Sequence, residues 1–119
     1  MKREPSAYLW DMQQACLAIS SFVTGVGEDR YLSDLQLRSA VERQLQNLGE
    51  ALSQLSKLDA TLAAQVPRHR QLIGLRNVLV HGYAGLNNSE IWQLLQMHLP
   101  DLQTAVAQLL NNSKPDERN

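Results

Sequence analysis

The chain has 119 residues, of which 44% are hydrophobic and 19% charged, and a formal net charge of −1, which fits one soluble domain able to bury a core without metal or disulfide staples. A charge so near neutrality excludes a protein that coats nucleic acid by bulk electrostatics, so any such contact must come from a local cluster. The single cysteine, Cys16, excludes an intramolecular disulfide and a cysteine zinc cluster, and with no apolar run of signal-peptide form or membrane-spanning length a cytoplasmic protein is expected.

Ser6 is expected to cap a first helix in which Tyr8, Leu9, Met12, Cys16, Ile19 and Val23 recur at spacings of three and four, until Thr24-Gly25-Val26-Gly27 breaks it. Cys16 falls on that stripe and reads as a core residue rather than a nucleophile. Glu28 to Leu32 reads as a short connection, with Ser33 or Asp34 as the N-cap of a long second helix. That helix carries Val41, Leu45, Leu48, Leu52, Leu55 and Leu62 in a nearly heptad stripe and reaches about Ala64, short of Pro67. As one straight rod the span would measure about 48 Å at ~1.5 Å per residue, so a kink or break is expected near Gly49 or beyond Leu58.

Pro67 is expected to open a third, shorter helix with Arg68, His69 and Arg70 in its first turn, where cations oppose the macrodipole. A basic cluster kept at that local cost is a candidate for meeting an anion; the alternative is a solvated basic turn. Ser89 and Glu90 read as the cap and first turn of a fourth helix through Ile91, Leu94, Leu95 and His98, which Pro100 should kink or restart before Leu102, Val106 and Leu109 continue the stripe. His98 lies on the apolar face and reads as a packed core histidine, because no second His, Cys or carboxylate stands at a ligating spacing. Segments 1–5 and 111–119 are expected to be flexible tails of a single domain over 1–119. With no strand alternation, internal repeat or glycine-rich phosphate loop, the fold class is all-α, an antiparallel bundle of four to five helices.

The stretch around which the chain is organised is Arg76-Asn77-Val78-Leu79-Val80-His81-Gly82-Tyr83. Leu72, Leu75 and Leu79 run at helical spacing into it, and Gly82 stands where helices stop. His81 then occupies a helix C-terminus, where the negative end of the macrodipole favours a cation. Asn77 and His81 are about 40° apart around the helix and Arg76 about 140° from His81, so only the length of the arginine brings guanidinium and imidazole onto one phosphate-sized target. An arginine and a histidine at this spacing arise roughly 0.2 times by chance in such a chain, so the bare pair is a weak signal.

Four further motifs strengthen it. Tyr8-Leu9-x-Asp11-Met12 in the first helix, Asn47-Leu48-Gly49-Glu50-Ala51 in the long one, Ile73-Gly74-Leu75-Arg76-Asn77 and the closing His81-Gly82-Tyr83 together resemble the HEPN superfamily, and within it the HepT toxins of toxin–antitoxin pairs, over nearly the whole chain. The resemblance implies a helical-bundle ribonuclease with Arg76, Asn77 and His81 in its cleft. It also implies a nucleotidyltransferase antitoxin, MNT, that neutralises the toxin by AMPylation of Tyr83. From the residues themselves no cofactor is expected and no metal, since no clustered set of metal ligands stands beside the arginine–histidine pair. Arg68, His69 and Arg70 become candidates for contacting RNA phosphate. Glu50 is a candidate for orienting an arginine of the cleft, with Arg43 one heptad earlier, or solvent, as its other possible partner.

The activity expected is endonucleolytic RNA cleavage by transphosphorylation without a metal ion. His81 moves protons and Arg76 meets the charge on the phosphorane, while Asn77 fixes a hydroxyl or the imidazole. Each chain supplies one motif histidine although the route uses an acid and a base, so a two-fold homodimer is expected. The alternative is a non-catalytic HEPN module that binds a nucleotide or docks a nucleotidyltransferase.

Overall fold

A proline at the first position of a helix lacks only a backbone N–H that would have had no partner there and brings a φ suited to the helix; in a computed structural model of the chain, Pro5 opens α1 (Pro5–Val23) in this way. The structure describes residues 3–82 and 86–113, and every regular element among them is a helix. Glu4 is the N-cap and makes no side-chain capping bond, so Ser6 is not the cap and the helix begins inside the expected N-terminal tail. At the other end Thr24 closes the last turn, its N–H and its hydroxyl both donating to the Ser20 carbonyl at 3.1 and 2.7 Å.

The segment expected as a connection is itself helical, α2 (Glu28–Ser33). Glu28 and Asp29 in its first turn favour the positive helix end, and Tyr31 is fully buried with its ring 5.2 Å from that of Trp92. Six residues are too few to display a 3.6-residue period, which is why the sequence did not announce it.

Asp34 caps α3 (Leu35–Leu58), its Oδ1 accepting from the Leu37 N–H at 3.0 Å. The expected break falls beyond Leu58 and not at Gly49. Asp59 ends α3 by donating its N–H to the Leu55 carbonyl at 2.7 Å, and its carboxylate caps α4 (Ala60–Ala63) through the Leu62 N–H at 3.0 Å.

Pro67 lies outside the next helix, α5 (His69–His81). Arg68 is its N-cap, in the left-handed region at φ 62°. A non-glycine residue there costs roughly 1–2 kcal/mol, and the turn is fixed between two buried apolar anchors, Val66 and Leu72. Asn87, not Ser89, caps α6 (Asn88–Ser113), accepting from the Glu90 N–H at 3.1 Å. The Ser89 hydroxyl instead donates to Glu28 at 3.0 Å and ties α6 to α2. Pro100 does not restart the helix; α6 runs through it to Ser113, so 111–113 are helical rather than tail.

The stripes foreseen in α1, α3 and α6 meet in one core. Leu9, Met12, Cys16 and Ile19 of α1 are buried with Val41, Leu48, Leu52 and Leu55 of α3, and α6 adds Leu95, Leu102 and Val106. Burial pushes the Cys16 thiol up to about 12, which keeps it protonated and inert. His98 is half-buried beside a cavity of about 310 Å³ lined largely by leucines of α3, α5 and α6. α5 packs on α3 and adds only Leu72 to the buried core, so it lies on the outside of the bundle. Among the described residues no helix is long and apolar enough to cross a membrane.

Beside Tyr31, burial raises the Glu42 carboxyl above its ordinary range, with Arg38 partly opposing the shift. A carboxyl that holds its proton more tightly in the folded chain stabilises fully below its unfolded pKa, and that contribution is lost as pH rises through the folded value. Glu42→Gln should therefore raise the melting temperature at pH 7 and leave it unchanged near pH 3.5, an effect of at most ~1 kcal/mol because solvent screens a group this exposed. Equal shifts at both pH values would contradict it.

Candidate active site

The contact between α3 and α5 is set by a missing side chain. A Cβ on Gly49 would fall inside contact distance of the Arg76 Cβ and lie 2.9 Å from the Leu72 carbonyl oxygen. Leu72 and Arg76 are one turn apart on α5, so the two helices touch backbone to side-chain root where α3 carries glycine.

The next residue of α3 uses that proximity. Glu50 Oε2 lies 2.5 Å from Arg76 Nη2, and its Oε1 accepts from Gln54 Nε2 at 3.1 Å, one turn further along α3. Arg76 Nη1 donates to Asn77 Oδ1 at 2.9 Å. A chain of polar groups thus runs Gln54, Glu50, Arg76, Asn77, with a planar guanidinium held at two corners. The arginine side chain is 27% exposed and the glutamate 44%, so the pair sits at the surface of the helix contact rather than within the core. Arg76 Nε is buried without a partner among the described residues, an arrangement that costs about 1–3 kcal/mol.

His81 is the last residue of α5 and is exposed. Gly82 follows in the left-handed conformation at φ 63° and returns its N–H to the Val78 carbonyl at 3.0 Å. The helix therefore stops where glycine was expected to stop it, and the imidazole stands at the helix rim.

Of the sequence candidates, the structure joins Arg76 to Asn77 and to Glu50. Asn77 accepts from the guanidinium, which makes its observed partner the arginine rather than the imidazole. Glu50 takes Arg76, while Arg43 stands exposed one heptad earlier on α3. Arg68, His69 and Arg70 lie at the opposite end of α5 from His81, about 18 Å away along a helix rising ~1.5 Å per residue, and Arg68 is turned back to Gln71 at 3.1 Å. One chain therefore does not gather the basic turn and the motif at a single phosphate. Tyr83 lies outside the described residues. Sequence reasoning missed Gln54, whose i,i+4 spacing from Glu50 was the available signal. Among the described residues no three of His, Cys, Asp or Glu are grouped as metal ligands.

Comparison with known proteins gives a consistent result. A family model described as ribonuclease HepT-like matches residues 12–109. A candidate RNase of Caldanaerobacter subterraneus subsp. tengcongensis is 30% identical over 112 residues, 94% of this chain and 99% of that relative. A candidate RNase of Methanocaldococcus jannaschii is 26% identical over 88% of this chain and 95% of its own length, and a candidate ribonuclease HepT of Thermococcus cleftensis is 28% identical over 87% and 93%. No solved structure matches the chain.

Proposed function

We infer that this chain, which belongs to the HepT-like ribonuclease family, is an RNA endonuclease that works without a metal ion. The observation that carries the reading is the Arg76 guanidinium, fixed by Glu50 and Asn77 in the helix that ends on His81. RNA brings its own nucleophile. A base takes the proton of the ribose 2′-hydroxyl, O2′ attacks the adjacent phosphorus, and the bond from phosphorus to O5′ breaks as an acid protonates the leaving oxygen. The products are a 2′,3′-cyclic phosphate and a 5′-hydroxyl. The protein need only move protons and stabilise the phosphorane, through His81 and the remaining N–H groups of Arg76. Purified protein should cleave RNA in excess EDTA and leave cyclic-phosphate ends, and His81→Ala protein prepared identically should not. A strict requirement for Mg²⁺ or Mn²⁺ would sink the mechanism.

The route uses an acid and a base at opposite sides of the phosphorus and each chain brings one His81, so the working unit is a two-fold dimer in which two α5 ends face one cleft. Sedimentation showing a fully active monomer would rule that out. The physiological setting is a toxin, held in check by a nucleotidyltransferase antitoxin that places AMP on Tyr83. The added phosphodiester carries about one negative charge beside the motif that receives RNA phosphate. Co-expression with the antitoxin should add ~329 Da per AMP to the peptide containing Tyr83, and Tyr83→Phe toxin should escape neutralisation; adducts confined to another residue would refute the assignment.

One observation favours the non-catalytic alternative, since an arginine already paired with Glu50 can be a purely structural tie between α3 and α5. Growth arrest on expression of the wild-type chain but not of His81→Ala separates the two, because His81 takes no part in that tie.

A further inference from the structure

Glu50 has a second setting. Besides holding Arg76, it borders an open groove of about 540 Å³ between α1 and α3, within the ~300–1,000 Å³ range of small-molecule sites. Tyr8, Asp11 and Ala15 face it from α1 at spacings i, i+3, i+7, and Gln44, Asn47, Ala51 and Gln54 face it from α3 at i, i+3, i+7, i+10. Each row includes a buried alanine, Ala15 at the end of the first and Ala51 inside the second. Two methyl groups floor the groove, and the longer polar side chains become its walls.

The walls are chemically sorted. On the α1 side Arg3 is tied to Asp11 at 2.7 Å, with its guanidinium carbon 4.7 Å from the centre of the Tyr8 ring, so a phenol and a planar cation are already stacked at the mouth. On the α3 side the wall is amides. Gln54 gives one N–H to Glu50, and among the described residues Gln44 and Asn47 are hydrogen-bonded to no side chain, nor is Gln14, which lines the groove from α1. Both carboxylates at the groove are paired, Asp11 with Arg3 and Glu50 with Arg76. A phosphate entering here would meet those two carboxylates, whereas a flat uncharged ring with donors and acceptors on its edge would find stacking partners on one wall and amides on the other. Amide side chains carry both a donor and an acceptor and pair with base edges, and unstacked RNA bases are read by stacking on aromatic or guanidinium planes together with such edge contacts.

We propose that the groove between α1 and α3 is a nucleobase subsite. It takes the base of the nucleotide beside the scissile phosphate, with Glu50 as the shared wall between base and Arg76, and so gives cleavage a base preference. The placement relative to the scissile phosphate rests on the ribonuclease reading; binding of a base in the groove does not.

Two measurements test the proposal separately. In the first, ¹⁵N-labelled protein is titrated with adenosine, guanosine, cytidine and uridine, which carry no phosphate for Arg76 to attract. The side-chain amide signals of Gln44, Asn47 and Gln54 should shift saturably for one base over the others, and Gln44→Leu should weaken that binding about tenfold or more. In the second, a mixed-sequence RNA pool is cleaved and its ends sequenced. The wild-type protein should favour one base at the cut by about tenfold or more, and Tyr8→Leu and Gln44→Leu should flatten the bias, whereas Gln93→Leu on the exposed side of α6 should keep it. Circular dichroism confirms that each variant is folded. Nucleoside shifts without cleavage would keep the subsite and remove the ribonuclease reading. Cleavage without base bias and without amide shifts would keep the ribonuclease and overturn the subsite, as would a bias untouched by both groove substitutions.

Discussion

Exchanging His81 for alanine should lower kcat for RNA cleavage by about 10²–10⁴-fold, the range of a proton-transfer group, while the thermal transition stays close to that of the parent. The residue is exposed at the last position of α5 and lies outside the buried cluster, so a loss of that size cannot be blamed on the core. Arg76→Lys separates charge from geometry. The guanidinium holds Glu50 through Nη2 and Asn77 through Nη1 at the same time; one ammonium on a flexible stem retains the charge without the planar fork. If the fork positions a phosphoryl group, Arg76→Lys should lower kcat nearly as far as Arg76→Ala. If Arg76 only ties α3 to α5, lysine should restore both stability and rate. Single-turnover cleavage beside thermal melts decides between them, and a His81→Ala protein within tenfold of the parent rate would end the catalytic assignment.

The helices could be read from the chain because their information is periodic. Leu9, Met12, Cys16 and Ile19 all reach the core, Asp34 caps where a cap was expected, and Gly82 ends α5. What escaped was local and short. α2 and α4 span six and four residues, less than two turns, and carry no readable period. Caps were displaced to neighbours: Glu4 and Asn87 took the places expected of Ser6 and Ser89, because several residues near a helix start can serve and tertiary partners decide among them. Ser89 has such a partner in Glu28, 61 residues away.

The site divides along the same line. Arg76 and Asn77 are sequence neighbours, so their meeting needed only a helix. The Glu50–Arg76 pair spans two helices and was reachable only through the family resemblance, since periodicity gives faces and not which faces meet. The basic turn at Arg68 to Arg70 was legible as charge, and its place in the first turn of a helix that ends on His81 already implied the separation that α5 shows. Gly49 was the least legible of all. A glycine inside a helix reads as a weak point of the backbone, and α3 passes through it unbroken; its use lies in what α5 places opposite.

That use makes Gly49→Ala the most informative change away from the motif. In an isolated helix alanine is favoured over glycine by about 1 kcal/mol, so propensity alone forecasts a more stable protein. Against this, the new methyl group meets the Arg76 Cβ and, at 2.9 Å, the Leu72 carbonyl oxygen. Neither is the end of a flexible side chain, so α5 itself must shift, and overpacking of this kind costs ~1–3 kcal/mol. The clash outweighs the propensity, and a net loss of up to ~2 kcal/mol is expected. The larger effect falls on the chemistry. Moving α5 off α3 draws Arg76 from Glu50, and a displacement of ~1 Å at a positioned group can cost about 10²-fold in rate. Arg76→Ala keeps the Cβ and should not relieve the clash, whereas Arg76→Gly removes the Cβ contact and leaves only the Leu72 carbonyl oxygen at 2.9 Å; the destabilisation by Gly49→Ala should therefore persist in the first background and shrink, without vanishing, in the second. Equilibrium denaturation of the three single and two double variants reads that difference directly, and a Gly49→Ala protein that melts higher than the parent with its cleavage rate intact would show that the close approach of α3 and α5 does not position Arg76.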